Sequence, residues 1–162
     1  MKTLILLRHS DTEHSYSGQK DIERELTSVG ISNAINKGNK LNNRDLSINL
    51  ITVSSAKRTI QTAELVAEQI GFNIRNIAPR EEIYLASTRT MLSEINLIDD
   101  KFETVLMVSH NPGTEFIAEY ITGEAIGYVE TSGAICIQFD IDSWQEVSQA
   151  NGKLLWKDFT NN

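Results

Sequence analysis

Leu4-Ile5-Leu6-Leu7 is a short apolar run that stops abruptly at a cation, an imidazole and a hydroxyl, Arg8-His9-Ser10. A run with no polar alternation suits neither a half-solvated strand nor an amphipathic helix. It reads as a strand over Thr3 to Leu7 that is buried on both faces, which requires a parallel sheet covered by helices on either side. Open sheets of that kind bind ligands beyond the carboxyl ends of their strands. Two later runs end in the same way. Leu50-Ile51-Thr52-Val53-Ser54-Ser55 leads into Arg58, and Val105-Leu106-Met107-Val108-Ser109 leads into His110. Strands are therefore expected over Ile48 to Ser54 and Thr104 to Val108, with two histidines and two arginines delivered to one edge.

The segments between these strands carry helical spacing. Thr27 is placed to cap a helix that uses Ile31, Ala34, Ile35, Gly38 and Leu41, with Asn42 and Asn43 ending it. Ser55 is expected to cap a second helix carrying Ile60, Ala63, Leu65, Val66, Ala67 and Ile70, which Gly71 closes. Phe72 to Ile77 alternates loosely and reads as an edge strand before Pro79. Thr88 is expected to cap a helix using Met91, Leu92, Ile95 and Ile98, and a further helix runs from about Gly113 to Ile121. From Thr131 the pattern changes. Ala134 to Asp140 and Lys153 to Phe159 read as two strands joined by Ser143 to Asn151, an antiparallel hairpin at the sheet edge. The expected fold is α/β, a three-layer α/β/α sandwich with a mostly parallel sheet and an antiparallel C-terminal hairpin. A chain of 162 residues without repeat, linker or composition break suggests one domain, residues 1–162.

Taken singly, each chemical group also has a plain reading. Arg8-His9 is either a surface pair at a strand end or a phosphate-binding guanidinium beside a nucleophilic imidazole. Arg58 is either a solvated residue on a mixed-charge helix or an anion ligand in a first helical turn. There a cation opposes the helix dipole unless an anion joins it. His110, in a loop tightened by Pro112 and Gly113, is either satisfied by backbone or a donor to a phosphoryl oxygen. Their common placement past strand ends favours the functional reading of each. His14 has no such placement and reads as peripheral.

Several classes are excluded or disfavoured. A net charge of −7 argues against nucleic acid and against an acidic membrane as partners. No Gly-rich phosphate loop and no carboxylate pair at metal-ligand spacing accompany the histidines, so neither a metal nor a nucleotide cofactor is expected. Cys136 is the only cysteine and reads as a buried apolar residue in a reducing compartment. The first apolar run is too short for a signal peptide or membrane helix. These features together predict a cytoplasmic protein, and a monomer is expected.

The motifs match a known pattern. Leu7-Arg8-His9, Asp21-x-x-Arg24-x-Leu26-Thr27-x-x-Gly30, Ser54-Ser55-Ala56-x-Arg58-Thr59-x-Gln61-Thr62-Ala63 and Val108-Ser109-His110-Asn111-Pro112 resemble the histidine phosphatase superfamily. The branch they resemble most is the short SixA-type phosphohistidine phosphatase, whose tail is similar to Thr131-Ser132-Gly133-Ala134, Trp144 and Gly152-Lys153-Leu154. The resemblance implies a phosphoglycerate mutase-like fold, a covalent phosphohistidine on His9, and Arg8, Arg58 and His110 holding the transferring group without a metal or other cofactor. It carries Arg24 over as an additional oxyanion contact. Ser10 stands where the superfamily usually has glycine, and Ser109 where glycine often precedes the second histidine. Serine fits both places, and its hydroxyl makes Ser10 a candidate substrate-binding group.

Substrate chemistry divides the remaining possibilities. An alkoxide leaves poorly and needs a proton donor, whereas imidazole leaves readily from a phosphoramidate. The segment after the second arginine offers Glu81-Glu82, and Glu82, beside Ile83, is the better candidate for an acid, although exposed loop carboxylates are the plainer reading. The short span from Glu82 to Thr104 leaves no room for an inserted lid, which favours a phosphorylated side chain on a protein over an enclosed metabolite. The leading expectation is a phosphohistidine phosphatase acting on a phosphorylated protein. The alternatives are a small-molecule phosphomonoesterase and a non-catalytic phosphoprotein-binding module.

Overall fold

A computed structural model describes residues 1–161. Its six strands are β1 (Lys2–Arg8), β2 (Leu50–Ser54), β3 (Ala78–Arg80), β4 (Thr104–Ser109), β5 (Ala134–Phe139) and β6 (Lys153–Asp158). Its four α-helices are α1 (Ser28–Asn42), α2 (Lys57–Ile70), α3 (Thr88–Asn96) and α4 (Gly113–Thr122). The sheet order is β3-β2-β4-β1-β5-β6. The first four strands are parallel, β5 runs antiparallel to its neighbour β1, and β6 runs antiparallel to β5. The α/β sandwich with its C-terminal hairpin is the architecture that the alternation of strands and helices demands.

The β1 run is buried on both faces, as its lack of alternation requires: Leu4, Ile5, Leu6 and Leu7 are all 0% exposed. Leu4 and Leu6 share a core with Met91 and Ile95 of α3 and Ile117 and Ile121 of α4. Ile5 and Leu7 point the other way, into a core with Leu41 of α1 and Ala63 and Val66 of α2. Each such side chain removed from water contributes roughly 1.5–3 kcal/mol, so this strand serves both layers at once. Register then aligns the strand ends. Arg8 pairs with Ser109 and Val53 with Val108, while Leu7 pairs with Ala134 at the start of the antiparallel β5. The chain leaving β1, β2 and β4 and the chain entering β5 therefore meet at one edge.

Local departures from the expected boundaries have local causes. Phe72 to Ile77 is not a strand. Gly71 turns the chain at a φ of 71°, and the Asn73 side chain caps a 3-10 turn, Ile74–Asn76. The edge strand follows, over Ala78–Arg80, where Pro79 needs no ladder donor on its free side. The α2 N-cap is Ala56 rather than Ser55, and the amide of Ala56 is satisfied by the Ser54 hydroxyl. The α3 N-cap is Ser87 rather than Thr88 and accepts from the Thr90 amide. Thr27 caps α1 as expected, accepting from Gly30 N at 3.0 Å. Within the segment joining β5 to β6, Trp144 is 0% exposed and its Nε1 donates to Phe102 O at 2.7 Å. Cys136 is buried in the sheet, which pushes its thiol pKa up to about 11. Among the described residues, no helix is long and apolar enough to cross a membrane.

The loop after β1 is fastened to α1 through Asp11, whose carbonyl accepts from Thr27 N at 3.0 Å and whose carboxylate accepts from Asn33 and Thr131. This close approach requires Gly30, because a Cβ there would lie 2.1 Å from Asp11 O. Gly30→Ala is expected to lower unfolding free energy by about 1–3 kcal/mol through overpacking. An unchanged urea midpoint for that variant would contradict the packing described.

Candidate active site

The edge formed by the strand ends carries the imidazoles and guanidiniums. His9 follows β1, and its backbone is held on both sides: its amide donates to Ser109 O and its carbonyl accepts from Ser132 N, each at 3.1 Å. His110 follows β4. The two imidazole centroids are 5.4 Å apart with their planes tilted by 57°. Helix α2 supports this arrangement from below. Thr62 Oγ1 accepts from Ser10 N at 3.0 Å, Gln61 Oε1 accepts from Leu26 N at 2.9 Å, and Thr59 Oγ1 donates to Ser54 O at 2.9 Å. The Arg58-Thr59-x-Gln61-Thr62 spacing thus puts one polar group under the loop after β1, one under the Leu26 segment and one under the end of β2.

The two histidines are neutral and differently oriented. His9 Nδ1 lies 2.7 Å from the Ser10 carbonyl, which only accepts, so Nδ1 carries the proton and Nε2 the lone pair. Burial, with Arg58 and Arg8 adding to it against the Ser10 hydrogen bond, lowers the His9 pKa to about 4. Burial and Arg58 lower that of His110 to about 3. His110 Nε2 lies 2.7 Å from Ser54 Oγ, and that hydroxyl already accepts from Ala56 N. When Ser54 donates its proton to Nε2, the His110 proton sits on Nδ1; that nitrogen is buried and has no partner.

The arginines share one arrangement. Arg8 Nη1 donates to Tyr128 OH and Val129 O, both at 2.9 Å. Arg58, 4% exposed, donates from Nη1 to Asp21 O at 2.8 Å and from Nη2 to Asp21 Oδ2 at 2.9 Å. Arg24 donates from Nη1 to Asp21 Oδ1 at 3.3 Å and from Nη2 to Thr12 Oγ1. Arg58 and Arg24 have both terminal nitrogens held by the protein and Arg8 has one, Nη1, while in all three Nε is buried without a partner. Among the described residues, the buried side-chain polar atoms lacking partners are Arg8 Nε, Arg24 Nε, Arg58 Nε, His110 Nδ1, Asn111 Oδ1 and Asn161 Oδ1. Four of these six belong to the residues that the sequence pointed to. Unsatisfied buried donors are rare and costly. Their concentration on cationic and imidazole groups is an arrangement that a bound oxyanion would satisfy.

One sequence expectation needs revision, and one candidate keeps its plainer reading. Ser10 is 0% exposed and its hydroxyl pairs with that of Ser132, so it is turned away from any ligand; its carbonyl instead fixes the His9 tautomer. Glu82, the candidate acid, is more than half exposed and faces Arg80, with 3.7 Å between the charged atoms. Sequence reasoning passed over Asp21, Tyr84, Tyr128 and Ser54 as site groups. Asp21 was visible as the acidic member of Asp21-x-x-Arg24, and Tyr84 as the aromatic residue just past the β3 end; Tyr128 carried no local signal. Among the described residues, no three His, Cys, Asp or Glu side chains gather as metal ligands.

Comparison with known proteins agrees with this geometry. The family model described as histidine phosphatase superfamily (branch 1) matches residues 4–96. An uncharacterized chloroplastic protein of Arabidopsis thaliana is 27% identical over 164 residues, which span 96% of this chain and 75% of that protein. Two solved structures have similar folds. The SixA protein from Agrobacterium tumefaciens superposes with a TM-score of 0.82 at 24% identity, covering 96% of each chain. The protein histidine phosphatase SixA complexed with tungstate superposes with a TM-score of 0.82 at 21% identity, covering 96% of this chain and 95% of that one.

Histidine titration provides a check on the electrostatics. The ring resonances of His9 and His110 are expected to keep neutral-form shifts from about pH 8 to about pH 5, then titrate near 4 and 3. Inorganic phosphate should raise both midpoints, because a bound anion offsets the arginine charges. A midpoint near the ordinary 6.5 for either ring would contradict the burial and charge described.

Proposed function

The chain belongs to the histidine phosphatase superfamily, and we propose that it hydrolyses phosphohistidine on a protein substrate through a phospho-His9 intermediate. The observation that carries this reading is the set of unpartnered Nε donors on Arg8, Arg24 and Arg58 and the unpartnered Nδ1 of His110 beside a neutral imidazole. In the first step, the His9 Nε2 lone pair attacks phosphorus and the P–N bond to the substrate imidazole breaks, its electron pair returning to that ring nitrogen. The substrate leaves as neutral imidazole when its other ring nitrogen carries a proton. The proton on His9 Nδ1, held by the Ser10 carbonyl, makes phospho-His9 a good leaving group in turn. Water then attacks phosphorus, and its protons depart with the phosphate. The guanidiniums and the His110 Nδ1–H stabilise the charge on the equatorial oxygens in both steps.

Two observations favour a phosphoramidate on a protein. First, neither nearby carboxylic acid is suited to protonating an alkoxide. The hydrogen bond from Tyr84 and the Arg58 guanidinium hold Asp21 below the usual carboxylate range, and Glu82 faces Arg80. Imidazole departure does not require such a donor. Second, His110 forms one wall of a cavity of about 410 Å³ whose other walls include Leu85, Pro112 and Phe116. Leu85 and Phe116 are 58% and 50% exposed. Exposed apolar surface beside a polar site suits the residues flanking a phosphorylated side chain on a polypeptide better than it suits a sugar or a nucleotide.

A phosphohistidine-bearing peptide or protein, assayed with chelator present, is expected to lose its phosphate to the wild type and not to His9→Ala. Acid-labile phosphate should be trapped on His9 after rapid quenching. Arg58→Ala should lower kcat by about 10²–10³-fold, the usual cost of removing an oxyanion ligand. Full activity in His9→Ala would overturn the nucleophile assignment. A clear preference for sugar or nucleotide monoesters would transfer the reading to a phosphomonoesterase.

A further inference from the structure

A carboxylate beside an oxyanion site works against binding, since like charges at contact distance repel even where the effective dielectric is high. Asp21 occupies such a position. Its Oδ2 accepts from Arg58 Nη2 at 2.9 Å and from the Tyr84 hydroxyl at 2.5 Å, its Oδ1 from Arg24 Nη1 at 3.3 Å, and its backbone carbonyl from Arg58 Nη1 at 2.8 Å. One residue thus holds the terminal nitrogens of Arg58 and one terminal nitrogen of Arg24, and leaves the Nε of each buried and unpartnered.

The same residue joins three parts of the fold. Asp21 opens the 3-10 turn Asp21–Glu23 in the loop after β1, Arg58 lies in the first turn of α2, and Tyr84 follows β3. The Tyr84 ring stands edge-on to His110 with centroids 5.5 Å apart, and the Arg58 guanidinium carbon is 6.0 Å from the centre of that ring. A guanidinium that is 4% exposed at a helix N-terminus has no favourable orientation of its own, because the helix dipole repels it. The carboxylate supplies one.

We propose that Asp21 is a positioning residue for phosphoryl transfer: it clamps Arg58 and Arg24 by their terminal nitrogens so that their Nε edges stay free for the transferring group, with Tyr84 locking the clamp. The proposal rests on the phosphatase reading for its substrate but not for its geometry. A positioning role separates two kinds of anion. Tetrahedral phosphate tolerates a guanidinium that has moved, and gains from removal of a neighbouring negative charge. The trigonal-bipyramidal transition state, which vanadate mimics, requires the donors in place.

Asp21→Asn keeps an acceptor oxygen but removes the charge. It is expected to lower kcat on a phosphohistidine peptide by about 10–100-fold, the cost of misplaced groups. Inhibition by vanadate should weaken by a similar factor, while inhibition by inorganic phosphate stays the same or tightens. Tyr84→Phe should show the same pattern at smaller amplitude, and it serves as the test if Asp21→Asn does not fold. A kcat within about twofold of wild type, or equal weakening of phosphate and vanadate, would overturn the positioning role. Wild-type protein that binds vanadate but turns over no phosphohistidine would instead overturn the proposed function. The ratio of vanadate to phosphate affinity in the variants would then still decide the role of Asp21.

Discussion

Burial of positive charge at the carboxyl edge of the sheet is the constraint on which the site depends. A guanidinium removed from water is tolerated only when its donors are satisfied. Here both terminal nitrogens of Arg24 and Arg58, and Nη1 of Arg8, are satisfied by the chain itself, through Thr12, Asp21 and Val129. The Nε donors are not. The arrangement is half-complete by construction, and it explains the histidines as well: neutral rings are the only form that such a neighbourhood accepts. His9, the proposed nucleophile, is therefore kept unprotonated first by burial and then by the same charges that would stabilise its product. A net charge of −7 over the whole chain leaves this cationic patch as a local exception rather than one part of a basic surface.

Much of this was legible in the sequence, for reasons that differ from residue to residue. The uninterrupted runs of β1, β2 and β4 announced buried parallel strands, and their abrupt ends at Arg8-His9, Ser54 and His110 fixed the edge at which the chemistry gathers. Thr27 and Gly71 announced helix ends because cap chemistry is local. The Ser55 and Thr88 caps were each off by one residue, since adjacent hydroxyls or small residues compete for the same role and only the path of the chain decides between them. The edge strand was displaced from Phe72–Ile77 to Ala78–Arg80 because the Asn73 side chain satisfies a turn amide there. A loosely alternating run does not reveal that competition.

The site itself divides in the same way. His9, Arg8, Arg58 and His110 sit next to strand ends and could be read from the chain. Asp21 and Tyr84 had only faint local signals, because their importance lies in contacts across 37 and 63 residues of sequence. Ser10 shows the opposite error. A hydroxyl beside a nucleophile reads as a ligand, but complete burial turns its side chain to Ser132 and leaves the backbone carbonyl as the group that matters.

The central position of β1 has a consequence for how the protein is made. β1 leaves the ribosome well before its sheet neighbours: its partners are Thr104–Ser109 on one side and Ala134–Phe139 on the other. Leu4 to Leu7 must therefore stay unpaired until those later strands have been translated. During that interval they are exposed to chaperones and to neighbouring nascent chains. The apolar run that guarantees a buried sheet in the finished molecule is also its most vulnerable stretch during synthesis.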